Sequence, residues 1–377
     1  MKKIIILISI LIILTSMNCF ALDSSIWYKF PIPEYSYSHA YITFPDFLNW
    51  QVHGDDNEIY LRSGIIYNYF LQNNNVTINN YGSIRADLNQ YEYHYGSDVY
   101  KKDERRVSYH NNFTGAIYFG KFNIWSEGLL DMYAQKGREC LTDLKLEIGG
   151  GLGRIVNCTP VVRAIRLLKE FEIKEDEDLI FQVADFYAKK AKFSKKYTDT
   201  WEEIFYQKIA EMIGFPDQSM KVRRILISGI YETVSRSRGW EVKLGYGNRF
   251  FRGIDPHPKG YVVLKAEYHL PWGLTKQVTL HSEYMRDLDD DSSFLGAGAF
   301  FEIEHTYTWA SHIVITADKP FNSLKSDEDM NYCISIGTEK SIFNKLVSSL
   351  SVEYKKISDS EDPYFNLRLD LKYYLWQ

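Results

Sequence analysis

From Gly239 onward the chain divides into eight stretches of about ten residues, most of them alternating apolar and polar side chains with a period of two. Trp240, Val242, Leu244 and Tyr246 alternate with Glu241, Lys243 and Gly245. Val262, Leu264, Ala266 and Tyr268 alternate with Val263, Lys265, Glu267 and His269. Phe301 and Ile303 alternate with Glu302 and Glu304. Phe365, Leu367, Leu369 and Leu371 alternate with Asn366, Arg368, Asp370 and Lys372, whereas Ile313 to Ala317 is less regular. Such alternation sends one set to each face of a sheet. A soluble β-sandwich alternates as well, and three features favour a barrel in a membrane instead. Aromatic residues make up 16% of the chain, 29 of them Tyr, and many sit near strand ends, where interfacial girdles belong. The stretches match the ~9–11 residues of a tilted membrane strand. Connections also alternate in length: residues 250–259, 287–293, 318–329 and 358–363 are long and polar, 271–274 and 307–309 are short, and 339–344 is intermediate. Long loops on one side and short turns on the other are the pattern of an outer-membrane barrel.

The N-terminal segment supports an exported chain. Lys2 and Lys3 precede an apolar run from Ile4 to Leu14, and Cys19-Phe20-Ala21 places small residues where a signal peptidase reads. The run is shorter than the ~20 residues of a membrane helix. Residues 1–21 are therefore expected to be a cleaved signal peptide, with lipidation at Cys19 as the alternative. Removing Lys2 and Lys3 from the 44 Lys and Arg leaves 42 against 49 Asp and Glu, a net charge of −7. That balance argues against a nucleic-acid partner. The remaining cysteines, Cys140, Cys158 and Cys333, are odd in number. Cys140 and Cys158 would sit at opposite ends of one strand, so they are read as unpaired.

The N-terminal half alternates with more noise. Strands are expected at about 58–71, 76–95, 107–119, 122–135 and 142–156, with a weaker one in 36–52 and a charged loop at 96–106. Between the halves the period becomes helical. Val161, Ala164, Ile165, Leu168 and Phe171 form the first of four stripes, and Thr159-Pro160 reads as its N-cap and first turn. The expected domains are thus 22–158 and 237–377, two halves of one antiparallel transmembrane β-barrel, and 159–236, an all-α insert of about four helices. A last strand finishing in the periplasm puts the insert on that side. The strand count is 14, or 12 if a hairpin is miscounted.

The segment from Gly149 to Ile165 carries a family resemblance. Gly151-Leu152-Gly153-Arg154-Ile155, Asn157, Thr159-Pro160 and Ala164-Ile165 resemble the junction in uncharacterised bacterial outer-membrane barrels with a periplasmic helical insert. The resemblance implies the fold and brings no activity with it. The last strand, with Leu367, Leu369, Leu371, Tyr373 and Leu375 in phase, resembles the signal read by the barrel assembly machinery. It departs from that pattern in ending on Trp376-Gln377.

Gly149, Gly151 and Gly153 share the inward face opposite Leu146, Ile148 and Leu152. A phosphate loop needs a βαβ setting that is missing here. Strand glycines instead permit close approach of another backbone, and these three are the expected contact between insert and barrel. Glu241, Lys243, Lys265, Glu267, Glu302, Glu304, Arg368, Asp370 and Lys372 are expected in the lumen. Charges of both signs make a wet or salt-bridged interior, not an apolar ligand cavity. The leading expectation is a channel or transport-related barrel, plugged or capped by its insert. The second is a structural or binding protein whose insert grips a periplasmic partner or, through Lys189, Lys190, Lys192, Lys195 and Lys196, peptidoglycan. An enzyme stands last: no H-E-x-x-H spacing and no G-x-S-x-G elbow is present. No cofactor or metal is expected, and outer-membrane lipid is the expected surrounding.

Overall fold

The computed structural model describes residues 26, 29–53, 56–95, 98–135, 140–174, 176–196, 200–227, 236–253, 259–289, 292–306, 309–321, 331–343, 346–356 and 364–376. The expected signal peptide lies outside them. Among the described residues, 14 antiparallel strands close into one barrel in sequence order. They are β1 (Tyr35–His53), β2 (Asp56–Gln72), β3 (Val76–Tyr95), β4 (Asp98–Phe119), β5 (Phe122–Gln135), β6 (Leu141–Asn157) and β7 (Ser237–Gly253). The ring continues with β8 (Lys259–Trp272), β9 (Lys276–Asp287), β10 (Ser293–Thr306), β11 (Trp309–Phe321), β12 (Asn331–Phe343), β13 (Leu346–Lys356) and β14 (Tyr364–Trp376). β14 pairs with β1 through registers such as Phe44↔Leu371 and Trp50↔Leu367, so every strand has two neighbours and no edge is left.

The weak strand in 36–52 is β1. Its ladders shift register between Phe44 and Leu48 on one side and between Thr43 and Asn49 on the other. Pro45 lies inside both shifts and has no N–H to donate. The expected loop at 96–106 is a correction. β3 and β4 stay paired out to Tyr95↔Asp98, so residues 98–106 are strand. Charge alone does not end a strand.

The insert leaves the barrel at Asn157 and returns at Ser237. It lies at the barrel end that carries the short links 73–75, 120–121 and 273–275. Its helices are α1 (Thr159–Glu170), α2 (Glu177–Ala188), α3 (Lys190–Lys196), α4 (Trp201–Met212) and α5 (Ser219–Ile227). The expected four become five among the described residues because the lysine-rich segment forms its own short helix. The cap of α1 also differs: Cys158 is the N-cap, and the Asn157 side chain accepts from the Thr159 N–H at 2.9 Å. Val161, Leu168, Ile180, Val183, Phe205, Ile209 and Val222 form one buried core. Phe30, from the segment before β1, is 1% exposed within it.

The outward face of the barrel is apolar. Ile84, Ile124, Ile148, Leu244, Ile336 and Phe365 are each more than half exposed, and comparable side chains continue around the ring. A soluble protein does not expose so large a continuous apolar surface. Phe119, Phe122, Trp272 and Trp309 line the short-turn edge, and Tyr332 and Phe365 lie toward the other. From Lys340, paired with Trp309, to Tyr332 is roughly 26 Å of strand. At a ~40° tilt that is about 20 Å of height, close to the ~25 Å apolar band of a membrane barrel. The fold is a transmembrane β-barrel with an all-α insert. Leu244→Arg, mid-strand on this face, is expected to lower the stability of the lipid-inserted barrel by about 2–4 kcal/mol. Leu288→Arg, beyond the end of β9, should leave it unchanged. Urea titration of folding into vesicles reads both.

Candidate functional site

Chemistry-bearing residues gather in two places, the joint between insert and barrel and the lumen wall. The joint centres on α1. Every residue from Thr159 to Leu168 is buried, Arg163 and Arg166 included. A helix buried on all sides has partners on all sides. The Arg166 guanidinium grips both carboxylate oxygens of Glu304 at 2.6 Å and donates to the Leu274 carbonyl at 2.7 Å. Glu304 closes the inner end of β10, and its N–H donates to the Thr275 carbonyl at 2.7 Å. The returning chain brings Arg236, 1% exposed, within 3.6 Å of Glu302 and 3.5 Å of Glu304. Two cations thus face two carboxylates. Burial pulls the Arg236 pKa down, and Glu302 and Glu304 oppose that pull.

Backbone bonds complete the joint. The Cys158 N–H donates to the Arg236 carbonyl at 2.7 Å, and the Arg236 N–H donates to Thr159 Oγ1 at 2.9 Å. The Asn157 N–H donates to Gln72 Oε1 at 3.1 Å, and Gln277 holds Ser237 from both sides at 3.2 and 3.0 Å. Arg238 Nη2 donates to the Phe30 carbonyl at 2.7 Å. The insert, the segment before β1 and three hairpin ends are therefore fastened together. Cys158 lies inside this joint with no exposed surface, and burial pushes its thiol up to about 12. Among the described residues Cys140, Cys158 and Cys333 are all free, as expected.

The lumen wall collects the inward positions of the strands. Lys265 bridges Glu127 at 2.8 Å and Glu147 at 2.6 Å, while Lys243 pairs with Glu241 at 2.7 Å. Glu241 also accepts from Tyr118 at 3.1 Å and Asn123 at 2.9 Å, and Glu267 pairs with His269 at 3.3 Å. Trp125, 2% exposed, lies across this wall with the Lys265 ammonium 5.5 Å and the Lys243 ammonium 5.9 Å from its ring centre. Arg368 chelates Asp370 at 2.9 Å, and Lys372 pairs with Glu339 at 2.7 Å on a different part of the wall.

The nine charged positions expected in the lumen thus fall into three groups. Glu241, Lys243, Lys265 and Glu267 meet beside Trp125. Arg368, Asp370 and Lys372 line β14. Glu302 and Glu304 are 7% exposed and belong to the joint. The three glycines lie close against the barrel wall. A Cβ at Gly149 would collide with the Leu244 carbonyl and lie 2.6 Å from Gly245 Cα. At Gly151 it would lie 2.6 Å from Asn123 Oδ1 and 2.7 Å from the Val242 carbonyl. Gly153 has φ +88° and abuts Trp240. The atoms nearest each glycine belong to the barrel wall, and Arg166 and Arg236 fasten the insert. Gly245 leaves the space that Trp125 fills, since a Cβ there would lie 2.5 Å from the indole. Gly151→Leu is therefore expected to destabilise the barrel by about 1–3 kcal/mol through overpacking. The protease sensitivity of the insert should stay unchanged in molecules that do fold.

Of the basic cluster, Lys189 pairs with Asp185 at 2.6 Å, Lys192 pairs with Glu34, and Lys190 lies 5.7 Å from the Trp201 ring centre. These three are engaged within the chain. Sequence reasoning missed Arg166, Arg236, Trp125, Tyr118, Glu127 and Glu147. The inward parity of Tyr118, Trp125, Glu127 and Glu147 was the available signal.

No protein-family model matches the chain, and no curated protein sequence matches it. Solved structures that it resembles include bacterial outer-membrane channels and porins. OprB of Pseudomonas putida at low pH shares 7% identity over 91% of this chain and 93% of that one, with a TM-score of 0.40. An outer-membrane channel of Pseudomonas putida F1 shares 8% over 92% and 96%, at 0.37. A BenF-like porin of Pseudomonas fluorescens Pf-5 shares 7% over 90% and 98%, at 0.36. The membrane assignment rests on the closed ring and its apolar belt, not on these likenesses.

Proposed function

We propose that the protein is an outer-membrane channel whose periplasmic mouth is capped by its own helical insert. The observation that carries this reading is the pairing of a charged, polar lumen with a joint that fastens the insert to one barrel end. A lumen lined by Lys265, Glu127, Glu147, Lys243, Glu241 and Glu267 is polar enough to hold water and solutes. Closed barrels with apolar outer belts are the architecture of outer-membrane proteins, and in bacterial ones the short-turn end, which here carries the insert, is the periplasmic end. The joint is the gate: Arg166 and Arg236 on the insert side, Glu302 and Glu304 on the barrel side.

Swelling of liposomes containing the full-length protein, in neutral solutes of graded size, tests the reading. Arg166→Ala should admit solutes that the unaltered protein excludes or passes slowly. Absence of swelling in both proteins would favour the second reading, a binding protein whose insert engages a periplasmic partner. That reading draws on the exposed face of the lysine-rich α3, where peptidoglycan carboxylates are the matching chemistry.

A further inference from the structure

A cavity of about 490 Å³ opens in the lumen wall between β3, β4 and β5. That volume falls in the ~300–1,000 Å³ range of small-molecule sites. Its lining follows from register. Arg85 of β3 lies opposite Ser108 of β4, and Ser108 lies opposite Tyr133 of β5. One step nearer the insert His110 lies opposite Asp131, and Tyr81 follows on β3. The neighbours Ile84, Val107 and Met132 are exposed on the outer face, so these six side chains face the lumen by parity.

The cavity holds a cation without a counter-charge. Lys243, Lys265, Arg249, Arg368 and Lys372 each hold a carboxylate within 3.3 Å. Arg85 pairs with no carboxylate among the described residues, and its Nη2 donates to Tyr81 Oη at 3.4 Å. Asp131, on the far side of the cavity, is engaged by His110 Nδ1. The Arg85 stem lies over Gly64, where an added Cβ would come 3.0 Å from Arg85 Cγ, so the guanidinium is carried along the wall. Water can hydrate a partly buried cation of this kind but cannot neutralise it, and an anion can. The guanidinium presents a flat fork of N–H donors that matches a carboxylate. One cation matches one negative charge, and the Asp131 carboxylate disfavours a second. The Ser108 hydroxyl and the Tyr81 and Tyr133 phenols line the rest of the wall, where they suit hydroxyl groups on a ligand.

We propose that this cavity binds a small hydroxylated monocarboxylate, with Arg85 gripping the carboxylate. The proposal rests on the channel reading for the ligand's route and names its solute class, but binding is measured apart from transport. Calorimetric titration of the full-length protein in detergent, with gluconate and with glucose, is the test. Gluconate should bind, and glucose, which lacks the carboxylate, should bind about tenfold more weakly or less. Arg85→Gln, which keeps a hydrogen-bond donor and loses the charge, should weaken gluconate binding about tenfold or more. Arg85→Lys, which keeps the charge and loses the fork, should fall between the two. The heat-dependent gel shift of a folded barrel confirms that each variant is assembled. No heat from gluconate at concentrations on the order of tens of millimolar would overturn the proposal. Equal binding of gluconate and glucose, tighter binding of inorganic phosphate, or undiminished gluconate binding by Arg85→Gln would overturn it as well. Liposome swelling without gluconate binding leaves the channel reading standing and removes this one. Gluconate binding without swelling does the reverse.

Discussion

Glu304→Gln is expected to undock the insert. The substitution leaves Arg166 and Arg236 buried beside a neutral amide. Removing one partner of a buried ion pair costs about 3–5 kcal/mol, because the other charge stays desolvated and uncompensated. Here one carboxylate serves two guanidinium groups, at 2.6 Å and 3.5 Å, so Arg166 loses its charged partner while Arg236 keeps Glu302 at 3.6 Å. The effect should fall on the joint and spare the ring, since Glu304 lies at the inner end of β10 beyond most of its ladder. Cys158 reports the result. In the unaltered protein its thiol is buried and held up to about 12, so a maleimide at neutral pH should label exposed Cys140 and leave Cys158 untouched. In Glu304→Gln, Cys158 should label readily while the folded-barrel gel shift persists. Unchanged protection of Cys158 would show that apolar contacts around Val161, Leu168 and Phe30 dock the insert without the ion pairs.

Trp125→Ala is the second large effect, and it falls on the barrel wall. The indole is almost wholly buried among Ala116, Tyr118, Tyr261 and Val263, and it fills the space that Gly245 leaves. Truncating a buried Trp costs about 3–5 kcal/mol, depending on how far the site collapses. Collapse is limited here because the neighbours are strands fixed by two ladders each. Lys243 and Lys265 also lose the aromatic face they approach. Urea titration of the folded barrel in vesicles should show the loss in full. A change under 1 kcal/mol would mean that the wall repacks and that Gly245 has another purpose.

Much of the barrel was legible because lipid on one side and water on the other impose a period of two. β7, β8 and β14 show it most clearly, and their inward residues Lys243, Lys265 and Arg368 could be assigned by parity alone. β1 was faint because Pro45 and two register shifts interrupt its phase. Residues 98–106 read as a loop because a strand that overruns the membrane is polar on both faces and loses the alternation. The joint was illegible for a different reason. Arg166 and Glu304 lie 138 residues apart, and Arg236 and Glu304 lie 68 apart. Arg166 sits in a helix between Ile165 and Leu167, where a charge ordinarily reads as a solvated face. Glu302 and Glu304 share the parity of lumen residues, and only the docked helix turns them into anchors. The glycine run is legible as a place of close approach, but that β7, Asn123 and Trp240 make the approach is not.

Single-channel recording in planar bilayers tests the capped-channel account most directly, comparing the unaltered protein with the paired substitution Arg166→Gln and Glu304→Gln. Neutralising both partners removes the pair without leaving one charge stranded, so the barrel should assemble normally. The account predicts that the unaltered protein stays mostly closed or passes small, infrequent steps, and that the double variant opens in large, long-lived steps. Identical records from the two proteins, whether silent or fully open, would contradict it.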